Sequence, residues 1–474
     1  MAQAADYTIE NSTGANVRAD INTVLQAIAT NNSGSSAAST TFASGFFANT
    51  STSMMQLRNT ANNAFINLFS LAGAPAFEID GTVNSIHLGK GANSVAGNTV
   101  FGENALDASG LSGGNNTAVG IRAMTTLTSG SQNCAFGNNA MQDATIASGS
   151  VAVGGNALAN VTEGSNNVAI GRDALETITL VGNMVAVGFK SLEANSTGTN
   201  NTGCGYASLK DNQSGQDNTG LGNTALTANK TGNYNTAVGS DALETQTASD
   251  NNTAVGYHSL GANSSGAENT ALGSGCLDFN EDGDKNTAVG FAALDANVSN
   301  DHSTAVGHNA LTTSTGAQNT ALGSQAGDLL TSGSNCLILG YNADPSANDA
   351  SNEVVLGNSS ISVLRCQQQS ISALSDERDK KDIVDSEDGL DIINALRPRK
   401  FTWAMREPSA NDGKTELGFI AQEIDAVLGD KNDYIGAVYK SNPDKLEASY
   451  GKFVPILVKA VQELSTKVTA LEKG

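Results

Sequence analysis

Ser375 and Lys380 stand five positions apart in the run Ser375-Asp376-Glu377-Arg378-Asp379-Lys380. A hydroxyl and an amine at that spacing can act as nucleophile and base, provided the lysine is neutral. Neutrality requires desolvation or nearby positive charge, and Arg378 and Lys381 supply the charge. Residues 375–474 contain neither His nor Cys, so a Ser-His-Asp triad or a Cys-His pair is closed to this stretch. On spacing alone the run reads first as a solvated charged segment. Asp379 and Asp382 flank the lysine, and a carboxylate paired with Lys380 would keep it protonated and impair it as a base.

The chain that must position these residues changes character at this point. Residues 1–374 carry 28 acidic and 10 basic side chains, and residues 375–474 carry 19 and 15, which places a domain boundary near 374. The last helix is legible from Val454, Leu457, Val461, Leu464, Val468 and Leu471, a heptad seam with Pro455 tolerated in its first turn. Val alternating with Leu favours two strands in isolated peptides, so a three-stranded assembly would have to be imposed by the rest of the chain.

Upstream the chain is repetitive. The unit Asn116-Thr117-Ala118-Val119-Gly120 is followed by Ala123-Met124, and its glycine recurs every 17 residues from Gly120 to Gly307. Gly102 precedes this register, and Gly323, Gly340 and Gly357 continue it. Thr-Ala-Val forms a short strand, the glycine a corner, and the Asn/Ser/Gly-rich remainder a turn. Stacked at about 4.8 Å per coil, such units make a β-solenoid with Asn and Thr ladders. Ala118 and Val119 face opposite sides of the strand, so an apolar pair predicts that both faces are covered, the outer one by other copies of the chain.

This repeat, over roughly residues 85–360, resembles the left-handed β-roll heads of trimeric autotransporter adhesins and related fibre shafts. At the N-terminus, Val17, Ile21, Val24, Leu25 and Ile28 share one helical face, and short β-like segments follow between residues 40 and 73. That region resembles the opening of cyanophage tail-fibre proteins. The C-terminal stretch resembles the intramolecular chaperone domain of phage tailspikes, tail fibres and endosialidases. The resemblance rests on "SDERDKKDI", "ALRPRKFTW" (Ala395 to Trp403), "GFIAQEI" (Gly418 to Ile424) and "YGKFVPILVKAVQEL" (Tyr450 to Leu464). It implies a trimeric domain that assembles the shaft and cuts itself off. Ser375 would be the nucleophile, Lys380 its base, Leu374–Ser375 the scissile bond, and Asp376 and Arg378 site-shaping residues.

The fold expected is therefore mainly β: an elongated homotrimeric β-solenoid with an N-terminal attachment region at 1–84 and repeats at 85–360. A linker at 361–374 leads to an α+β chaperone domain at 375–474 that ends in a coiled-coil helix. The partners expected are two further copies, a phage tail adaptor or tube protein at the N-terminus, and a host receptor, either a glycan or a surface protein. Receptor contacts are expected in variable turns such as Ser196–Asn200 or Asn263–Glu268, or at the distal end of the shaft. Location in a virion tail after synthesis in the host cytoplasm follows from the same resemblance. A bacterial trimeric surface adhesin and a fibre that keeps its chaperone domain uncleaved are the alternatives.

Composition narrows the rest. A net charge of −22 argues against nucleic acid or an anionic membrane as partner, and no apolar run is long enough for membrane insertion. The opening "MAQAADYTIENSTG" has neither the basic nor the apolar region of a secretory signal. Cys134, Cys204, Cys276, Cys336 and Cys366 lack metal spacing and read as buried, reduced thiols. Asp278, Asn280 and Asp282 with Gly283 resemble the start of a calcium loop. Position twelve is Val289 instead of the required Glu, so a solvated turn is the better reading. His87, His258, His302 and His308 are scattered, and isolated acids such as Glu163 and Asp295 form no repeated pair of the kind a glycan-cleaving site needs. No cofactor and no activity on external substrates are expected.

Overall fold

The computed structural model describes residues 85–365, 367, 375–404 and 411–473, and the backbone of five strands between Ser33 and Val83. The amphipathic segment at 14–31, Cys366 and Leu374 lie outside the described residues. Two compact units divide the chain, Met1–Ser214 and Gly215–Gly474. The division falls inside the repeat, away from the charge shift near 374. In a stack where each coil touches only its neighbours, no coil boundary is intrinsically stronger than another.

In the first unit, Phe46–Asn49, Met54–Arg58 and Phe65–Ser70 pair antiparallel, where short β-segments were expected. Gly81–Val83, Ile86–Gly89 and Thr99–Gly102 also pair antiparallel, and Thr99–Gly102 starts a parallel ladder that reaches Thr202–Cys204. In the second unit the ladder runs from Thr219–Leu221 to Val354–Leu356. Partners such as Val151 and Val168, or Thr236 and Thr253, are 17 residues apart, so the chain is a β-solenoid with one strand per coil.

Each strand has a fixed inside and outside. The middle residue, Ala118, Ala135, Ala237 or Ala254, is fully buried. The third residue points outward, and Phe101, Phe136, Leu272 and Leu322 are each about half exposed. Past the corner glycine the chain drops an Ala-Leu or Ala-Met pair into the core, with Met124, Leu158, Leu243 and Leu294 fully buried. These residues adopt left-handed backbone, with φ of 51° at Leu243 and 53° at Leu294, which costs an L-residue about 1–2 kcal/mol. Inter-coil hydrogen bonds offset that cost, as where Leu243 N donates to Ser259 O at 3.1 Å and Leu294 N to Ala310 O at 3.0 Å.

A second column supplies polar order. Asn235, Asn252, Asn269 and Asn286 are fully buried, and each side-chain oxygen accepts the next coil's backbone N–H, at 2.9 Å for Asn252, Asn269 and Asn286 as donors. The amide nitrogens donate to carbonyls such as Gly266 and Gly283, so groups that would be costly to bury alone are paired. Of the thiols, Cys276 and Cys336 are buried, whereas Cys134 is half-buried and Cys204 exposed. The last two occupy outward strand positions, and this corrects the expectation that the thiols are internal.

Burial, first, and then Asp328 push the Asp344 carboxyl from 3.8 up to about 6, against a hydrogen bond from Leu329 N. An acid with a raised folded pKa lends stability that is complete below about 3.8 and is lost as pH rises through about 6. Asp344→Asn keeps the acceptor without the charge. It is expected to raise the melting temperature at pH 8 and leave it nearly unchanged at pH 4, and thermal unfolding at the two pH values checks this.

The second unit ends in an α+β domain. Helices α1 (Leu390–Ala395), α2 (Ala421–Leu428), α3 (Asn432–Ile435) and α4 (Val454–Lys473) accompany two antiparallel pairs, Arg399–Thr402 with Thr415–Gly418 and Val438–Tyr439 with Glu447–Ala448. Its core is Ile392, Ile424, Leu428, Ala437, Val438, Phe453 and Ile456. Helix α4 turns Ile456 and Ala460 inward, and the heptad residues Val454, Val461, Leu464 and Leu471 face outward, 51–82% exposed.

Candidate functional site

Ser375 and Lys380 meet because a single 3₁₀ turn, Glu377–Asp379, lies between them. Asp376 makes that turn. Its carboxylate accepts from Arg378 N at 2.9 Å, which caps an otherwise unpaired N–H, and it also grips the Arg378 guanidinium through Nε at 2.9 Å and a terminal nitrogen at 2.6 Å. These bonds from Arg378 hold the Asp376 carboxyl below its usual range and the guanidinium above its own. Lys380 leaves the turn extended and returns its Nζ to Ser375, donating to Oγ at 2.6 Å and to the Ser375 carbonyl at 3.3 Å.

The structure thus brings Ser375, Asp376, Arg378 and Lys380 into one local arrangement. Asp379 and Asp382 do not enter it. Among the described residues, no ion pair within 4.0 Å joins either carboxylate to Lys380. Both members of the dyad are exposed to solvent. A proton on Lys380 Nζ is within transfer distance of Oγ, and the reverse transfer uses the same line once the lysine is neutral.

The segment that follows is anchored by a contact no local pattern announces. Asp388, nearly buried, accepts from Lys431 Nζ at 2.5 Å and from the Tyr434 hydroxyl at 2.6 Å. The lysine first and then the tyrosine hold its carboxyl below the usual range. Glu463 of α4 accepts from Leu390 N at 2.9 Å, pinning the start of α1. Both pairs join residues more than 40 positions apart, so neither helical nor strand periodicity could have found them.

Inside the solenoid the calcium-like residues separate. Asn280 is fully buried and donates to Asn263 Oδ1 at 2.9 Å and Gly283 O at 3.0 Å as part of an amide ladder. Asp278 instead faces His258 at 3.7 Å, whose other nitrogen lies 3.6 Å from Asp241. Among the described residues no group of three His, Cys, Asp or Glu side chains is arranged to hold a metal. Asn263 belongs to the same ladder and is fully buried, so it drops out of the turn expected to meet a receptor, and Ser264, Ser265 and Glu268 stay exposed. In the other turn Ser196, Thr197 and Asn200 are exposed.

Residues 375–432 match the family model described as chaperone of endosialidase. The match begins at Ser375 and runs through the dyad, α1, the first strand pair and α2. Comparison with curated proteins and with solved structures gave no match.

Proposed function

We propose that this chain is a subunit of a phage tail fibre, a homotrimer whose C-terminal domain assembles a β-solenoid and then removes itself between Leu374 and Ser375. Residues 1–84 join a tail adaptor or tube protein, and the solenoid meets the host surface. The observation that carries this reading is Lys380 Nζ at 2.6 Å from Ser375 Oγ, at the head of a domain similar to endosialidase chaperones and directly downstream of a β-solenoid.

Two faces left uncovered by the described residues support the trimer. One is the seam of α4. The other is the outer face of the solenoid strands: in every coil its first and third positions hold only Thr, Cys, Val, Ile, Leu or Phe, although the chain carries a net charge of −22. Contiguous apolar strips of that kind mark association surfaces. Val238→Asp with Val289→Asp puts a buried carboxylate into the proposed seam twice per chain. Sedimentation is expected to show monomer in place of trimer, and a trimer of unchanged stability would remove the strand face from the interface.

The chemistry follows from where the serine stands. Its hydroxyl belongs to the leaving side of the scissile bond. Ser375 Oγ gives its proton to neutral Lys380 Nζ and attacks the Leu374 carbonyl carbon through a five-membered ring. The C–N bond breaks, the lysine returns the proton to the Ser375 amine, and the acyl group rests on Oγ as an ester. Water hydrolyses that ester to a Leu374 carboxylate and a free Ser375. The open dyad of the protomer ties this step to assembly: two further copies would supply the desolvation that a lysine base needs.

Removal has a physical use. A stack of near-identical coils has a weakly specified register, because slipping by one coil preserves most contacts. A helical domain that associates first sets the stagger, and its loss leaves a fibre unable to retrace its folding route. The attachment role is tested by competition. Purified trimer ending at residue 374 is expected to block adsorption of the parent phage, and undiminished adsorption at saturating protein would remove that role. A retained, uncut domain is the second reading, favoured by the solvent exposure of both dyad residues.

A further inference from the structure

The buried ladder changes where the solenoid ends. The column that holds Asn286, Ser303, Asn319 and Cys336 in successive coils holds Glu353 in the last one. The carboxylate turns back across its own coil to Ser346, accepting from the backbone N at 3.0 Å and from Oγ at 2.9 Å. This clasp closes the turn from Ser346 to Glu353, just after Pro345, and Glu353 O also accepts from Leu337 N of the preceding coil at 2.9 Å, so the clasp is tied to the stack.

A tip of the C-terminal domain rests on that clasp. Asn442 Nδ2 donates to Ser346 O at 3.1 Å, and Ser441 Oγ lies 3.2 Å from Ser346 Oγ. Because the Ser346 hydroxyl proton is committed to Glu353, Ser441 is the donor. The tip also has hydrogen bonds of its own. Asn442 Oδ1 accepts from Asp444 N at 3.0 Å, and Lys445 N donates to Asn442 O at 3.1 Å. The strand pair beneath it is tied into the domain core by Asn432, which bonds Ala437 N, Val438 N and Val438 O, and by Lys440 on Asp425 at 2.5 Å.

We propose that the hairpin tip Ser441–Asn442 is the surface by which the assembly domain recognises its client, and that the client is the closed last coil, read through Ser346 and Glu353. A tip bonded to a clasp that is itself tied to the preceding coil holds one finished rung in place. The preceding coils then stack on that rung instead of starting at arbitrary positions along the repeat. The inference rests on the assembly role proposed above.

The test uses the full chain carrying Ser375→Ala, so that the domain stays attached, and measures recovery of trimer after dilution from denaturant. Ser441→Ala with Asn442→Ala removes both donors and is expected to lower the rate of recovery about tenfold, the loss of two modest hydrogen bonds at the docked state. Lys445→Ala, on the same tip outside the contact, is expected to match the parent, and protease resistance of residues 375–474 reports that the domain is folded in each variant. A chain ending at residue 374 is run beside them. Slow recovery of both the double variant and the shortened chain supports the inference. Normal recovery of the double variant with slow recovery of the shortened chain overturns the inference and leaves the assembly role standing. Normal recovery of the shortened chain overturns both.

Discussion

Ser375→Ala is expected to leave the chain at full length under conditions in which the parent, as proposed, releases residues 375–474, with the trimer still forming. This is the largest expected effect, because in the proposed route the hydroxyl takes the acyl chain and nothing else in the arrangement can. Removal of a nucleophile or its base lowers turnover by about 10³-fold or more in enzymes that use such pairs. Lys380→Ala is expected to match Ser375→Ala, since no His or Cys in residues 375–474 can replace the base. Asp376→Ala separates positioning from chemistry. It unties the turn by which Arg378 N is capped, so cleavage slows, by about 10- to 100-fold for a misplaced pair, without stopping. Hydroxylamine distinguishes the route: an ester on Ser375 Oγ yields a fragment ending in a Leu374 hydroxamate. Intact mass of each variant over time reads all of these outcomes, and release of the domain from Ser375→Ala at the parent rate would remove the dyad from the account.

Gly239→Ala is expected to unfold the coil around it. The corner glycines stack directly on one another, and a Cβ at position 239 would lie 2.3 Å from Gly256 O and 2.6 Å from Gly256 C. Those atoms are backbone of the next coil and cannot swing aside. The φ of +138° adds strain that an L-residue cannot relieve there. Overpacking and strain together come to about 4 kcal/mol. Gly275→Ala is the matched control. Its φ is +63°, a Cβ there meets nothing within 4 Å, and the equivalent position of the next coil already holds Ala292 at φ 50°. Chemical denaturation is expected to show a large loss for the first substitution and almost none for the second. Equal effects would mean that the glycine column does not set the coil spacing.

The solenoid was legible in advance because its signals are local and repeated. A glycine every 17 residues, Ala before Val, and Leu after Ala each mark a position that recurs in every coil. What escaped is what repetition does not encode. Leu243 and its equivalents adopt left-handed backbone, which leucine alone never suggests, because inter-coil hydrogen bonds impose it. Asn263 read as a turn residue by type, and the ladder that buries it is visible only after stacking. The nearness of Ser375 and Lys380 was expected only through the resemblance, because on spacing a charged run and a Ser-Lys pair look alike until the Asp376 turn folds one onto the other. The seat of the hairpin tip on Ser346 joins residues 95 and 96 positions apart.

The central claim is that a C-terminal domain gathers three chains and then leaves them. Native mass spectrometry of the wild-type protein, expressed without any variant, measures both halves at once. A complex of three chains, each ending at Leu374, is expected, with residues 375–474 released as a separate species. Full-length monomers as the stable product would contradict it.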